Sequence, residues 1–356
     1  MKFADVLEIK NGRNQRQVEN LDGRYPIYGS GGVMGRADDY ICEAETVVIG
    51  RKGSINNPIF VNEPFWNVDT AFGLIAKREV LLPKYLYYFC VNFDFEKLNT
   101  TVTIPSLTKA NLLQIEIALP KLEEQKKVVD VLDKVTNLVE LRQQQLAKLD
   151  ELVKARFVEM FGGINESVWY PYQTIESFTS VMSGGTPDRN IPEYWQGNIR
   201  WIKTTELKNC IITDTEEKIS QLGVENSSAK IIPANSILVA MYGQGKTRGM
   251  TGYITVECAT NQACACILPS EKINQKYLWK YIIFSYDKLR SMAKGGNQPN
   301  LNAGIIRKFP VLMPPMNLQN RFAVFAEQVE KTKLFIQNSL KQMETLKKAL
   351  MQQYFG

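Results

Sequence analysis

An internal repeat restricts the fold of this chain more than any other feature of its sequence. The segment Ile104–Val129 aligns without gaps with Gln298–Ala323, and the same offset continues to the chain end, where Phe355-Gly356 matches Phe161-Gly162. Gapless matching over so long a segment indicates duplicated structural units. The sequence therefore predicts two related halves. Matched identities include Pro105 and Pro299, Leu107 and Leu301, Pro120 and Pro314, Gln125 and Gln319, Leu146 and Leu340, and Leu152 and Leu346.

Each half of the chain has two parts that differ in amino-acid composition and pattern. Residues from about 1 to 101 and from about 169 to 296 are rich in Gly, Asn, Pro and β-branched residues, which is typical of short strands between turns. After Leu122 and Leu318 an apolar helical period begins, and it predicts two helices of roughly 35 to 40 residues, about 55 to 60 Å long. A helix with one apolar stripe needs a partner, so we expect the two helices to pack antiparallel. The alternative is that each helix lies on its own globular region.

The predicted fold class is therefore α+β, with two similar mixed α/β domains. Two long antiparallel helices, forming a coiled-coil spacer, separate the domains in a pseudo-twofold repeat. The predicted boundaries are 1–104 for the first domain, 105–165 for the first spacer helix, 166–298 for the second domain and 299–356 for the second spacer helix.

The absence of histidine excludes several classes of enzyme. Among the 356 residues there is no His, which removes Ser-His-Asp and Cys-His catalysis and the common zinc sites. Any chemistry on this chain would therefore have to use carboxylates, lysines or a metal ion bound by oxygen ligands. Six cysteines without C-x-x-C spacing favour reduced thiols and a cytoplasmic location, and no signal-like or membrane-spanning stretch is apparent. The formal net charge of +6 mildly favours an anionic partner.

The stretch Ser236–Gly249 carries Gly245-Lys246-Thr247 and superficially resembles a phosphate-binding loop. A true P-loop has a glycine five positions before the Gly of this triplet, but Ala240 stands there. Two glycines, Gly249 and Gly252, also follow where a helix should begin. In the repeat alignment Lys246 falls at about Lys52, whose loop lacks Gly-Lys-Thr. The sequence thus predicts a basic glycine-bearing loop after a strand in each half, and no ATPase site.

Basic residues on loops of small residues suit nucleic acid. Lys and Arg neutralise phosphates and contact guanine, while Asn and Gln can pair with adenine edges. An ordinary solvated loop remains the alternative for any single residue. The candidate DNA-binding residues are Arg13, Arg51, Lys52, Ser54 and Asn56 in the first half, and Lys203, Gln244, Lys246, Thr247, Arg248, Asn297 and Gln298 in the second.

Several segments together give the chain a family resemblance. In the first half they are "GRYPIYGSGGVMGRADDY", "VVIGRKGSI" and "NVDTAFGL"; in the second they are "SGGTPDRNIPEYWQGNIRW" and "TNQACACI". "IPSLTKANLLQIEIALPKLEEQ" leads into the first helix. With the two-half layout, the chain resembles the DNA sequence-specificity (S) subunit of type I restriction-modification systems over essentially its whole length.

The resemblance implies that each domain is a target recognition domain that reads one half of a bipartite DNA site. It implies that the helices fix the gap between the half-sites and dock the methylation subunits. Catalysis would belong to partners: two methylation (M) subunits, which use S-adenosylmethionine to methylate adenine at N6, and two restriction (R) subunits, which use ATP and Mg²⁺. The expected setting is prokaryotic cytoplasm, with double-stranded DNA as ligand and no membrane. The resemblance also implies that this chain has no catalytic residue, no metal and no cofactor of its own.

Two other classes of function are open to the sequence. Asp188, Glu216 and Lys218 imitate the P-D…(D/E)-x-K pattern of Mg²⁺-dependent nucleases, although the first half offers no equivalent. The chain could instead be a scaffold whose helices separate two protein-interaction modules. Steep salt dependence of binding would distinguish DNA recognition from an apolar protein interface.

Overall fold

The computed structural model describes residues 1–99, 105–243, 245–295 and 299–356. The chain divides into two compact units. Unit 1 comprises Met1–Gln145 and Ile336–Gly356, and unit 2 comprises Leu146–Phe335.

Unit 1 contains seven strands and three short helices within the described residues, and the long helix α4 begins in it. The strands are β1 Leu7–Asn11, β2 Tyr25–Gly29, β3 Gly32–Ala37, β4 Thr46–Gly50, β5 Ile59–Val61, β6 Trp66–Asn67 and β7 Ala71–Ala76. The helices are α1 Phe3–Val6, α2 Pro83–Asn92, α3 Lys109–Leu113 and α4 Leu122–Phe161, with a 3₁₀ turn at Phe95–Leu98.

The strands of unit 1 form two sheets. The larger has the order β1-β7-β4-β5 and is antiparallel throughout; the smaller has the order β3-β2-β6, with β6 parallel to β2. β4 is buried at every position, which explains its uninterrupted apolar sequence. The main core lies between the larger sheet and the helices, with α2 as a major contributor.

Unit 2 contains the remaining strands and short helices, and the second long helix, α10, begins in it. The strands are β8 Tyr172–Thr174, β9 Val181–Ser183, β10 Ile199–Ile202, β11 Cys210–Ile212, β12 Glu217–Ile219, β13 Ile237–Ala240, β14 Thr251–Ile254, β15 Ala259–Thr260, β16 Cys264–Ile267 and β17 Pro310–Leu312. The helices are α5 Ile175–Phe178, α6 Gln221–Glu225, α7 Gln275–Phe284, α8 Tyr286–Ser291, α9 Ala303–Arg307 and α10 Met316–Phe355, with 3₁₀ turns at Pro192–Trp195 and Thr204–Glu206.

Unit 2 repeats the sheet topology of unit 1. Its larger sheet contains the antiparallel run β9-β16-β13-β14, which corresponds to β1-β7-β4-β5, and adds β11 at the far edge. Its smaller sheet, β12-β10-β15, again has one antiparallel and one parallel pairing around the central strand. The duplication predicted from the sequence is therefore present in the strand order and direction.

The long helices begin and end at matched positions of the repeat, and each has 40 residues. In unit 2 their packed parts run antiparallel, because Asp150 pairs with Lys333 while Phe157, further along α4, contacts Phe322, further back on α10. In unit 1, Leu132 of α4 and Met351 of α10 belong to one buried cluster. The α4 seam predicted from periodicity is confirmed by the burial of Leu132, Val135 and Val153.

A buried glutamine fixes the start of each long helix. Gln125 accepts a hydrogen bond from the Leu82 N–H at 2.9 Å and donates to the carbonyl oxygens of Val80 at 2.8 Å and Pro120 at 2.9 Å. Gln319 repeats the arrangement in unit 2: it accepts from the Asn274 N–H at 2.9 Å and donates to the Pro314 oxygen at 2.8 Å. The repeated Pro and Gln are thus parts of a clamp between the helix and the unit.

The α+β fold class is confirmed: the chain has two similar mixed α/β units and two long helices. The domain boundaries 1–104, 105–165, 166–298 and 299–356 stay predictions. These predicted domains are not the same divisions as the compact units, because each unit contains part of both long helices.

Candidate nucleic-acid interface

In the larger sheet of unit 1, β1 and β4 end on the same side as β7 begins. Asn11 lies opposite Phe72, and Gly50 lies opposite Ala71. We call this the loop edge of unit 1 and define it by residues 11–16, 50–54 and 67–70. The corresponding loop edge of unit 2 consists of residues 184–190, 241–250 and 260–263, apart from 244.

Arg51 and Lys52 follow β4 directly. Hydrogen bonds hold their backbone in place, and their side chains are exposed. Both N–H groups point at the Thr70 carbonyl oxygen, at 2.7 Å from Arg51 and 3.4 Å from Lys52. The Arg51 guanidinium lies 5.7 Å from the centre of the Phe72 ring. Neither side chain forms an ion pair with the described residues. These two cations are therefore available to an anionic ligand.

The repeated Pro-x-Leu sequence packs directly against this loop. The Leu107 N–H donates to the Arg51 oxygen at 2.9 Å, and the Gly53 N–H donates to the Pro105 oxygen at 3.1 Å. The segment that follows the first globular region thus holds the basic loop in place.

Arg13 lies on the neighbouring loop and is held in the same way. Its N–H donates to the Asn67 oxygen at 2.9 Å, and its own carbonyl oxygen accepts from the Trp66 indole at 3.0 Å. Its side chain is exposed. Arg13, Arg51 and Lys52 are thus brought to one loop edge on a rigid backbone, an arrangement that favours phosphate contact at low entropic cost.

The other two candidates of unit 1 differ from these cations. Ser54 is exposed on the same loop. The Asn56 side chain is engaged internally: it donates to Asp94 at 3.1 Å and accepts from the Phe95 N–H at 2.7 Å. Asn56 therefore braces the loop against the 3₁₀ turn after α2.

The matching loop of unit 2 follows β13, and its alignment differs from the sequence-based one. The Leu301 N–H donates to the Met241 oxygen at 3.0 Å, as Leu107 does to Arg51. Arg51 therefore corresponds to Met241, and Lys52 corresponds to Tyr242 rather than to Lys246. The second loop is longer, covering residues 241–250 against 51–58 in unit 1, and Lys246 lies near its middle. Strand β14, not a helix, follows this loop, which confirms that it is not a phosphate-binding loop.

Helix α8 binds the backbone of the loop segment that contains Lys246, Thr247 and Arg248. The Tyr286 hydroxyl donates to the Lys246 oxygen at 2.7 Å, and Arg290 donates to the oxygens of Arg248 at 2.7 Å and Gly245 at 2.9 Å. Lys246 is exposed and Thr247 is half-buried. Arg248 turns inward, where its guanidinium donates to the Pro299 oxygen.

Lys203 lies in an ion-pair cluster on unit 2. Its ammonium group is 2.8 Å from Glu216 and 3.1 Å from Glu217, and the hydrogen bonds that it donates to these carboxylates raise the pKa of Lys203. The same hydrogen bond from Lys203 lowers the pKa of Glu216. Burial alone would raise the pKa of Glu217, but hydrogen bonds from Arg189 and Lys203 lower it. Lys203 is thus already neutralised, unlike Arg51 and Lys52.

The nuclease-like residues are engaged in separate interactions. Asp188 accepts hydrogen bonds from the backbone and side chain of Asn190, Glu216 pairs with Lys203, and Lys218 lies 3.5 Å from Asp214. Across the described ranges, no three His, Cys, Asp or Glu residues are grouped as a metal site would require. Nothing in this geometry favours the nuclease alternative.

Three candidates, Gln244, Asn297 and Gln298, lie outside the described residues. In the part of the chain that the structure describes, no helix has both the length and the apolarity needed to cross a bilayer.

Sequence reasoning missed several residues that shape these edges. Trp66, Tyr286 and Arg290 act through backbone oxygens, and such contacts leave no signal in a one-dimensional pattern. Tyr242 is 42% exposed at the position of Lys52, and correct placement of the loop insertion would have found it.

Comparison with known proteins agrees with this geometry. The family model described as "Type I restriction modification DNA specificity domain" matches residues 1–151 and 170–345, once in each half. The chain is 28% identical over 163 residues to the type I restriction enzyme EcoR124I/EcoR124II specificity subunit of Escherichia coli, and 27% identical over 188 residues to the MjaIX specificity subunit of Methanocaldococcus jannaschii. These matches cover 45% and 50% of the chain but only 40% and 41% of the two relatives, so the chain spans less than half of either.

The fold has a counterpart among solved structures. The type I restriction-modification system S subunit from M. genitalium superimposes with a TM-score of 0.65 at 13% identity, covering 100% of this chain and 95% of that one. A match at this identity establishes the fold, while the family model establishes membership. The chain belongs to the family of type I restriction modification DNA specificity domains.

Proposed function

We propose that this protein is the sequence-specific DNA-binding subunit of a type I restriction-modification complex. Each unit would bind one half of a bipartite double-stranded site through its loop edge. The observation that carries the proposal is the repeated loop edge, on which Arg13, Arg51 and Lys52 in unit 1 and Lys246 in unit 2 present exposed cations on a braced backbone. Such residues neutralise phosphates and orient a protein on the duplex.

The proposal assigns the chemistry to other chains. Two methylation subunits would carry S-adenosylmethionine and methylate adenine at N6, and two restriction subunits would use ATP and Mg²⁺. This chain would contribute recognition without catalysis, in the cytoplasm of a prokaryotic cell. The lack of His and the internal pairing of Asp188, Glu216 and Lys218 are consistent with that division.

The test is a genome-wide map of N6-methyladenine in cells with and without the gene. We expect a two-part motif with a fixed unspecified gap to lose methylation when the gene is deleted, and to regain it when the intact gene is restored. An unchanged map in cells whose methylation subunits are active would contradict the proposal.

Salt titration separates DNA recognition from the scaffold alternative. For a complex of this chain with methylation subunits, the logarithm of the DNA association constant should fall linearly with the logarithm of salt concentration, by about 0.9 for each phosphate contact. An association that is insensitive to salt would favour an apolar protein interface.

A further inference from the structure

The hairpin formed by β2 and β3 in unit 1 presents two adjacent apolar side chains to solvent. Val33 and Met34 are each 62% exposed. Neighbouring residues of a regular strand point to opposite faces, so one of the two would normally be turned inward. In this hairpin the exposure of both coincides with a local irregularity of the strand pairing.

A β-bulge supplies that irregularity. Ile27 lies opposite Gly35, but the next residue, Tyr28, lies opposite Val33, so the backbone of Met34 has no paired residue on β2. The Met34 sulfur lies over Gly29 of that strand. A bulge of this kind re-aims side chains and is common beside functional sites. β3 is also the outer strand of its sheet, where these side chains can be reached.

The hairpin turn touches the basic loop of the same unit. A Cβ atom at Gly50 would lie only 3.0 Å from the Ser30 Cβ, and one at Gly53 would lie 3.8 Å from the Ser30 hydroxyl oxygen. The turn residue Gly31 has open space around its Cβ position. The two-residue turn next to the apolar pair, Ser30-Gly31, thus lies against the loop that carries Arg51 and Lys52.

We propose that Val33 and Met34 read a thymine by apolar contact with its methyl group in the major groove, while Arg51 and Lys52 bind the adjoining phosphates. This inference rests on the proposed function and adds a base-reading element to it. The major groove admits a two-stranded β-ribbon, and the thymine methyl group is the apolar feature that its floor displays. The unpaired cations beside the hairpin match the charge of the DNA backbone.

In unit 2, the strand that corresponds to β3 is β12, and its exposed positions carry charged residues instead of an apolar pair. Its strand β12 follows β10 only after a long insertion, and it carries Glu217 and Lys218, which pair with neighbouring charged residues. Thymine reading by this route therefore belongs to the half-site bound by unit 1.

Uracil substitution tests the proposal. The full chain, in complex with its methylation subunits, is titrated with duplexes of its own site in which each thymine in turn is replaced by deoxyuridine, which lacks only the methyl group. We expect the complex to bind one such duplex about fourfold more weakly, the effect of burying roughly one methyl group. The double variant Val33→Ser/Met34→Ser should bind the thymine and uracil duplexes equally.

Leu222→Ser is the matched control, because Leu222 is 49% exposed on unit 2. This variant should keep the uracil effect. The inference is overturned if no thymine shows the effect, if the half-site contains no thymine, or if the double variant keeps the full effect. Absence of any site-specific DNA binding by the unsubstituted complex would instead refute the proposed function, and this inference with it.

Discussion

Lys246 and Lys52 are both exposed cations on the loop after a central strand, yet they are not equivalent. Lys52 follows the end of β4 closely, whereas Lys246 lies near the middle of the longer loop after β13, where Tyr286 binds its backbone oxygen. Charge and glycine content predicted both loops correctly. The sequence could not reveal the offset, because the hydrogen bond that defines it joins Leu301 to Met241 across the fold.

Replacing Lys246 with Ala should weaken DNA binding through one half-site only. The ammonium group is exposed on unit 2, so its loss should lower the slope of the salt dependence by about 0.9 if it contacts one phosphate. The measurement is a salt titration on duplexes with either half-site scrambled. Lys230→Ala, another exposed lysine of unit 2, is the control and should leave the slope unchanged. Equal losses at both half-sites would contradict the assignment.

Cys210 should be the thiol that reacts first in the folded protein. It is exposed, while the other five cysteines are buried. Burial raises the pKa of Cys42, Cys258 and Cys264 to about 12 each, so their reactive thiolate form is scarce at pH 8 and grows only as the pH approaches that value.

Mass spectrometry after brief treatment with a maleimide at pH 8 checks this expectation. One label should appear on the native chain and none on a Cys210→Ser variant, whereas the chain denatured in guanidinium should take up label at every cysteine. Rapid native labelling of Cys42 would show that the segment between β3 and β4 is not buried in solution.

The long helices illustrate what periodicity can and cannot predict. The apolar spacing correctly gave their existence, approximate length and buried stripe, including Leu132 and Val153. The repeated Pro and Gln were visible as identities, but their role as a clamp was not. That role depends on backbone groups of Val80 and Leu82, which are distant in sequence.

Replacing Gln125 with Leu should destabilise unit 1. The leucine fills a similar volume but leaves the Leu82 N–H and the Val80 carbonyl without their partner, which costs about 1 to 3 kcal/mol. Guanidinium unfolding followed by circular dichroism would measure the loss. Gln319→Leu should have a comparable effect in unit 2, since Gln319 is also buried and bonded to Asn274.

Gln143→Leu is the control for helix propensity, because Gln143 is exposed on α4. Its unfolding midpoint should stay close to that of the unsubstituted chain. An equal midpoint for the Gln125 variant would show that the clamp does not contribute to stability.

The two-half organisation of the whole molecule could be predicted from the sequence. The internal repeat, visible in the sequence, reappears as matched sheets in the two units, and the family model matches each half. Side-chain roles were less predictable than this architecture. Lys203, Asn56 and Arg248 all have suitable chemistry for DNA, but internal partners occupy them in the folded chain.

The purified chain should not cut DNA in the presence of Mg²⁺. Asp188, Glu216 and Lys218 each have other partners, so these two carboxylates are not positioned to hold the ion together. The measurement is agarose-gel analysis of supercoiled plasmid incubated with the chain and Mg²⁺, with Asp188→Ala as the matched variant. Cutting that disappears in this variant would restore the nuclease alternative.

The repeated Pro-x-Leu sequence, at Pro105–Leu107 and Pro299–Leu301, binds the start of a variable loop in each unit. Leu107 and Leu301 bind the first loop residue after β4 and β13 in the same way, although one loop begins with Arg51 and the other with Met241. Since a backbone carbonyl oxygen is the acceptor in both cases, the anchor does not depend on which side chain follows the strand. The loop residues between Arg51 and β5, and between Met241 and β14, can therefore differ in length and chemistry. The surrounding sheet and the start of the long helix stay the same.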